Sequence, residues 1–529
     1  MPAIVTDQFR ILNANNFVES VESDKNAYYV FIGLSNPTGT PSPSVQVGYG
    51  RSSDWNKTNS TPKPLDSFSS TAHVGDTMMY GKRIASANIR RIVRRIDWTA
   101  GKRYEMYRDD YSTEAGAQSP INDSSRLYGA SYYVMNSEFK VYVCISNGSS
   151  GDNPTGNISQ DEPMFTDLEP SRAGTSGDGY VWKYLYTVSP ADILKFDSTE
   201  YITVPNNWST STDAQIKAVR ENGDSSLNSN QIKHIYIADA GGKYADGLGQ
   251  EVDILGDGTG GKARVDVVGG KITNATVSSG GSGYSYGLVD LGALQDAAHP
   301  SNQRAKLVPI IPPSLGHGSD IYKELGTDRV LIYARFDDST KDFPSDTKFA
   351  QVGVVKNPTK VGTAVTYTDS TYSSAQAFIF DTVSGDEPKV GERITQVLTS
   401  GRIAQGYVAS YDKDTKVMKY FRDRSLNYTT TRDQTDYTGI STSGAIYAFE
   451  ASSNAIKGDS SNFSAGINTS FSGITTNPTG TKLIDLGVTF SNGLSSSEIN
   501  KGSGEIVYLD NRPLIARNER QKEDVKIIL

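Results

Sequence analysis

GDGYVWKYLYTVSPADILKFDSTEYITVP, residues 177–205, is the passage whose reading decides the fold. From Tyr180 to Val188 the residues alternate, so Tyr180, Trp182, Tyr184 and Tyr186 share one face of an extended strand while Val181, Lys183, Leu185 and Thr187 share the other. Asp178-Gly179 supplies a tight turn before it. Ser189-Pro190-Ala191-Asp192 starts a short helical turn, and Glu200 to Pro205 reads as a second strand ended by proline. Four aromatic rings in one row are costly to leave in water, so this face lies on a partner sheet or against another chain. Tyr180, Trp182, Tyr184 and Tyr186 are therefore the candidate core or interface residues.

Composition widens that reading to the whole chain. A length of 529 residues is too much for one core, and a hydrophobic fraction of 36% favours several small modules. The 50 glycines and 30 tyrosines, with abundant Ser, Thr, Asn and Asp, suit strands joined by polar loops. The expected class is mainly β: a multidomain β-sandwich scaffold with inserted small β modules and few short helices. The net charge of -8, from 52 basic and 60 acidic residues, favours solubility and argues against broad nucleic-acid binding. Cys144 is the single cysteine, which excludes an internal disulfide and points to folding in a reducing cytoplasm. It sits in the alternating run Val141 to Ile145 with no histidine nearby in sequence, the setting of a small core residue and not of a nucleophile. Met1-Pro2-Ala3 opens no signal peptide, and apolar runs such as Leu307 to Ile311 are too short to cross a bilayer, so a soluble chain is expected.

Along the chain, residues 4–10 read as an edge strand and Asn16 to Asn26 as a short helix with Phe17, Val18 and Val21 inward. NAYYVFIGL, residues 26–34, is a buried strand, and Ser35 to Pro64 a long surface loop of the kind that contacts something. Residues 76–98 carry Arg90, Arg91, Arg94 and Arg95 between Ile89, Ile92, Val93 and Ile96, which on a helix puts the arginines on one side. Such a face suits phosphate or RNA, or else a solvated or acid-paired flank; without base-stacking residues beside it, the second reading is preferred. Hairpin strands follow around Asn136-Ser137, and the polar loop Gly148 to Gly177 leads into the opening stretch.

Past Asn206 a glycine-rich module begins. Gly241-Gly242-Lys243-Tyr244 and Gly281-Ser282-Gly283-Tyr284 read as two copies of one corner, and Gly269-Gly270 as a two-residue hairpin turn. Gly261-Lys262-Ala263 lacks the hydroxyl and the following helix of a phosphate loop, and Asp246, Asp253 and Asp257 lack calcium-loop spacing, so turn chemistry explains these residues. His317, between Gly316 and Gly318, has no second histidine at ligand spacing, since His73, His234 and His299 are isolated; a loop-capping hydrogen bond is its expected role. Further on, residues 377–396, 401–421 and 445–451 read as strands of a small barrel with a turn at Asp412 to Thr415, and the last six residues as a final strand paired inside a sheet.

These shifts set off a glycine-rich hairpin-repeat module (209–320) and a small barrel-like module (365–481).

GDGYVWKYLYTV with EYITVP, RRIDW (94–98), DFPSDTKFAQVGVVKNP (342–358) and GEIVYLDNRPLIARNERQKEDVKIIL (504–529) resemble, in the same order, segments of the baseplate wedge proteins of T-even-type contractile-tailed phages, the gene product eight family. This chain is longer, and its excess falls largely in the glycine-rich module and the small barrel, which resemble insertions. The glycine repeats are similar to those in structural proteins of T-even-like phages of marine cyanobacteria. The resemblance implies a discontinuous β-sandwich core domain assembled from both ends of the chain (1–104 with 321–364 and 482–529), an inserted β-sandwich domain (105–208), and a homodimer in each wedge that contacts other baseplate wedge proteins. It also implies a place in the tail baseplate of the virion after assembly in the host cytoplasm. No enzymatic activity, cofactor, metal, nucleic acid, membrane or small-molecule substrate is expected.

Three functions are weighed on this basis. The leading one is a structural wedge component that buries subunit interfaces and passes on conformational change as the sheath contracts. Its candidate interface elements are the Ser35 to Pro64 loop, the Gly148 to Asp178 loop and the C-terminal strand. A tail fibre or receptor-binding, glycan-binding protein would use the Tyr-, Gly- and Ser-rich modules, but it predicts a trimer with shaft repeats that the sequence lacks. A glycan-degrading enzyme needs two carboxylates at a fixed separation, and the sequence singles out none.

Overall fold

Strands dominate the chain, as the alternating patterns require. The computed structural model describes residues 5–23, 25–33, 74–112, 121–222, 231–295, 300–336, 348–389, 392–422, 447–478, 480–516 and 523–529. The Ser35 to Pro64 loop lies outside these residues. Two compact units divide the chain: unit 1 comprises residues 1–18, 90–331 and 528–529, and unit 2 comprises 19–89 and 332–527.

Unit 1 is built on an antiparallel sheet of Tyr133–Met135, Lys140–Asn147 and Tyr180–Thr187. The turn between its first two strands closes because the Asn136 side-chain oxygen accepts from the Glu138 and Lys140 amides, at 2.9 and 2.8 Å. Tyr180–Thr187 then runs beside Lys140–Asn147 with Tyr184 opposite Tyr142 and Trp182 opposite Cys144, through two bulges that add local twist. The helix Pro190–Phe196 follows as expected. Ser189 caps it by accepting from the Asp192 amide at 3.1 Å, and proline stands in its first turn where no amide is needed. Strand Tyr201–Val204 pairs antiparallel with Ile89–Arg94.

The glycine-rich part of unit 1 forms a second sheet in the order Lys271–Ser282, Thr259–Val268, Gly247–Gly256, Gly287–Val289, over its own core of Ile254, Val265, Val267, Ile272 and their neighbours. Gly269 and Gly270, at φ 61° and 75°, make the two-residue turn whose hand matches strand twist. The two corners are the same device. In each, the first and third residues have positive φ (Gly241 and Lys243, Gly281 and Gly283) and the fourth is a buried tyrosine folded over the first glycine. A Cβ on Gly241 would sit 2.8 Å from the Tyr244 ring, and one on Gly281 2.7 Å from the Tyr284 ring.

Unit 2 holds a five-stranded sheet in the order Thr371–Ser373, Met78–Ile84, Tyr28–Gly33, Lys348–Lys356, Glu505–Ala516. Its core includes Tyr29, Phe31, Tyr367 and Tyr372. The expected small barrel is present and closed: Gln376–Ser384, Val417–Phe421, Ile403–Asp412, Arg393–Val397, Ile456–Gly458 and Ser464–Ile467 pair in a ring that returns to its first strand. Phe378, Tyr420 and Phe449 help to fill it, the first two stacked 4.2 Å apart.

Three local expectations give way. Residues 76–98 form no long helix. Met78–Ile84 and Ile89–Arg94 are strands with a single 3-10 turn, Ser86–Asn88, between them. β-Branched Ile89, Ile92 and Val93 are stiff at χ1 and favour the extended form once Tyr201–Val204 supplies a pairing partner. The edge strand expected over residues 4–10 gives way in its described part, 5–10, because the helix Asp7–Glu22 starts there, with the Thr6 hydroxyl accepting from the Phe9 amide at 3.3 Å and Asp7 in the first turn. Tyr447 to Glu450 make no strand either, although Phe449 still fills the barrel as a plug residue.

Candidate interaction site

The ladder strand carries the most concentrated aromatic packing of unit 1. Tyr180 and Trp182 stack at 5.4 Å and 13°, and Tyr104 stands edge-on to both, at 6.4 and 5.9 Å. Tyr184 meets Tyr142 at 5.8 Å, and Tyr186 meets Trp208 at 6.4 Å. All four ladder residues are buried within unit 1's own core. Their hydroxyls are used: Tyr180 accepts from the Tyr104 amide and donates to Asn157 O, both at 2.9 Å, Tyr184 bonds Thr187 Oγ1 at 2.8 Å, and Tyr186 donates to Thr203 O at 3.0 Å. Burial pushes all three phenols above the ordinary tyrosine range. The middle of the opposite face is buried too: Lys183 and Leu185 are both 0% exposed, while Val181 is half-buried and Thr187 exposed.

What covers that second face includes the loop from Gly148 to Asp178, which has no helix and no long strand yet is anchored along its length. Asn136 Nδ2 donates to Pro163 O and Lys140 Nζ to Met164 O, each at 2.8 Å, and Tyr142 Oη donates to Phe165 O at 2.6 Å. Ser171 and Trp182 exchange backbone bonds of 2.9 Å. Leu168 O accepts from the Lys183 ammonium and from Asn222 Nδ2, and Glu169 pairs with Lys233 at 2.7 Å. The loop is thus a strap across the sheet, with Ile158 and Met164 on its exposed side. Burial, with Lys233 nearby, pushes the Lys183 ammonium from its ordinary 10.5 down to about 8. No sequence pattern announced this residue as buried.

The four arginines are consumed internally. Arg90 pairs with Asp192 at 2.9 Å, and Arg95 with Asp97 at 2.9 Å and Asp197 at 3.3 Å. Arg91 is buried, donates to Asn15 Oδ1 at 2.6 Å and lies 4.3 Å over the Tyr322 ring, while Arg94 donates to Ala130 O at 3.0 Å. This is the acid-paired flank with one arginine drawn inside.

His317 does cap its loop, but through a side chain. Its Nδ1 lies 2.7 Å from Glu324 Oε1, and Glu324 Oε2 accepts from the Gly318 amide at 2.6 Å, both residues being buried. Tyr107 stands edge-on to the imidazole at 4.8 Å. Glu324 and Tyr107 also line an open cavity of about 500 Å³ with Asp7, Arg108, Asp109, Arg126, Tyr128 and Lys323. Its charges are matched locally: Arg126 with Asp7 at 2.9 Å and Arg108 with Asp110 at 2.7 Å.

Cys144 is fully buried, donates to Ser146 O at 3.4 Å, and has its thiol pushed well above the ordinary value by burial. Asp246 and Asp257 do turn work: Asp246 accepts from the Gly270 amide at 2.7 Å and Asp257 from the Ser285 amide at 2.9 Å, while Asp253 lies 3.8 Å from Lys262. Among the described residues, no group of three or more His, Cys, Asp or Glu could hold a metal ion, and no helix is long and apolar enough to cross a membrane. At the final strand, Leu529 and Val330 exchange backbone bonds of 2.9 Å in unit 1. In unit 2, Arg335 grips Asp524 with two bonds of 2.7 and 3.0 Å.

Comparison with known proteins meets the molecule at this same core. Residues 142–243 match the family model for Phage-Gp8, described as Bacteriophage T4, Gp8. The baseplate wedge protein gp8 of Enterobacteria phage T4 is 27% identical over 224 residues, covering 38% of this chain and 60% of that protein. The match spans less than two thirds of the relative's length. The family-matched segment contains the ladder strand, the strap and the buried Lys183, and it is across this segment that the chain is similar to the phage Gp8 family.

Proposed function

We propose that this chain is a structural component of a phage tail baseplate wedge, located in the virion and built against other wedge proteins. The supporting observation is where the likeness falls. Residues 142–243 cover the ladder strand and the strap, so the segment similar to the family is one of buried rings and anchored backbone, as a scaffold requires. On this reading the chain forms a dimeric, non-enzymatic scaffold that relays conformational change to its neighbours during sheath contraction. The division into a two-ended core domain with an inserted sandwich, a glycine-rich module and a barrel belongs to the same proposal.

The test has two arms: the mass of the purified chain in solution, and its position in intact particles by electron cryo-microscopy. A dimer in solution and two copies per wedge support the reading. A trimer at a fibre tip would overturn it.

A further inference from the structure

We propose that unit 1 closes a covalent cross-link on itself, an isopeptide bond between the Lys183 amine and the Asn222 carboxamide carbon, with Glu169 as the proton carrier. Lys183 lies on the strand Tyr180–Thr187 and Asn222 ends the helix Ala214–Asn222; the two are 0% and 3% exposed. One oxygen holds both. Leu168 O accepts from Lys183 Nζ at 2.5 Å and from Asn222 Nδ2 at 3.0 Å, which puts the two nitrogens at most about 5.5 Å apart, with the Asn222 carboxamide carbon one bond from Nδ2. Asn222 Nδ2 also donates to Glu169 Oε1 at 3.0 Å, and Lys233 holds Glu169 Oε2 at 2.7 Å. Strand, helix and strap thus bring a nucleophile, a carbonyl carbon and an acid–base group to one place.

An ordinary lysine is protonated at neutral pH and inert toward an amide. Here burial first, and Lys233 second, move the amine down to about 8 against the opposing pull of Glu169 and Glu324, so about a tenth of it is neutral at pH 7 and most of it at pH 9. The reaction balances without a further reactant. Neutral Nζ attacks Asn222 Cγ, and as the new N–C bond forms Nζ passes one proton through Glu169 to Nδ2. The Cγ–Nδ2 bond then breaks, its electron pair leaving on ammonia, and Glu169 is ionised as before. Amine and carboxamide become a secondary amide and ammonia. The bond closes a loop of about 40 residues, the kind of constraint a disulfide supplies, in a chain whose single cysteine can form none internally. The charge on Lys183 belongs to the chain before this bond forms, and reacted chain is told from unreacted chain by its mass.

The test holds purified, folded chain at pH 7 and at pH 9, measures its denatured mass over time and then digests it with trypsin. The expected product is lighter by one ammonia and resists cleavage after Lys183, giving a branched peptide in which residues 173–195 are joined to 221–233. Unreacted chain should convert about tenfold faster at pH 9 than at pH 7, and chain already lighter when purified supports the bond equally. Lys183→Met should lose no ammonia at this site. Glu169→Gln, with an unchanged melting curve as its folding control, should react at least about tenfold more slowly. Asn222 precedes Gly223, so a succinimide there would shed ammonia too, but without a branch and without need of Lys183. Ammonia loss from Asn222 that survives Lys183→Met, or complete cleavage after Lys183 in chain held at pH 9, would overturn the cross-link, and an unslowed Glu169→Gln would overturn the part given to Glu169.

Discussion

Replacing Lys183 by methionine should make unit 1 more stable at neutral pH. The lysine is fully buried, its ammonium bonds the Leu168 carbonyl, and burial moves its pKa from 10.5 to about 8. Below pH 8 both folded and unfolded chains hold this proton, and the folded state bears the whole penalty of the buried charge. Between pH 8 and 10.5 the unfolded chain binds more protons than the folded one, so this site's contribution to stability rises with pH; above 10.5 the penalty is gone. At 1.36 kcal/mol per unit the penalty is about 3 kcal/mol. Methionine fills much of the same volume, and the Leu168 carbonyl keeps its bond from Asn222 at 3.0 Å. Allowing about 1 kcal/mol for the lost hydrogen bond, the variant should gain roughly 2 kcal/mol at pH 7. Urea unfolding followed by tryptophan fluorescence in a Trp55→Phe background reads the right part of the molecule, since the remaining Trp98, Trp182 and Trp208 all belong to unit 1. Buried tyrosines titrate as well, but alike in both proteins, so the difference between them isolates Lys183. A variant less stable than the parent at pH 7, or a gap that does not shrink between pH 7 and 10, would refute the reasoning.

Further outcomes follow from the same packing. Trp182 Nε1 has no hydrogen-bond partner among the described residues, so Trp182→Phe trades a lost indole volume against relief of a buried orphan donor and should change stability by less than about 1.5 kcal/mol. Trp182→Ala should cost about 3–5 kcal/mol in the same urea experiment. Glu324→Leu strands the His317 imidazole and the Gly318 amide in the core and should cost about 3 kcal/mol or more, with Glu324→Gln retaining most of the stability; equal melting of the two would remove the cap as an explanation. Gly281→Ala meets Thr259 O at 2.4 Å from a positive φ and should lower the melting temperature, whereas Gly269→Asn, in open space within a two-residue turn, should leave it within error. Deleting residues 524–529 removes backbone bonds to Val330 and the Asp524–Arg335 grip and should lower thermal stability visibly, while Asp524→Asn alone, at a largely exposed pair, should change it by less than about 1 kcal/mol.

Much of the architecture was legible because its signals are local. Alternation located the ladder strand, paired glycines located the hairpin at Gly269-Gly270, and the repeated four-residue corner was visible before its tyrosines were seen to fold over their glycines. The mainly β class and the Gp8 resemblance followed from such stretches. What escaped was set at long range. Ile89, Ile92, Val93 and Ile96 have helical spacing, and only the pairing with Tyr201–Val204 decides for a strand. Lys183 falls on the face opposite the aromatic ladder, and nothing near it in sequence says that a loop and the helix Ala214–Asn222 will close over its ammonium. Glu324 carries a weaker local signal than His317: Asp320, whose side chain caps the helix Ile321–Leu325, marks a helix start that places a glutamate back toward the loop. The Thr6-Asp7 start of the first helix was a readable signal that the edge-strand reading overrode.

The pairing of Tyr28–Gly33 with Lys348–Lys356 sets a timetable for synthesis. Tyr28 leaves the ribosome roughly 330 residues before Lys356, its partner in register, and at about 5–20 residues per second the wait is roughly fifteen to sixty-five seconds. Through that interval the main segment of unit 1 is made in full and is free to fold, while YYVFIG has one strand available to it, Met78–Ile84, and an open edge on its other side. The chain must therefore be born with a sticky strand in its first tenth and carry it unsatisfied past the completion of its neighbour, which makes a nascent-chain chaperone more important for this protein's yield than its final stability would suggest.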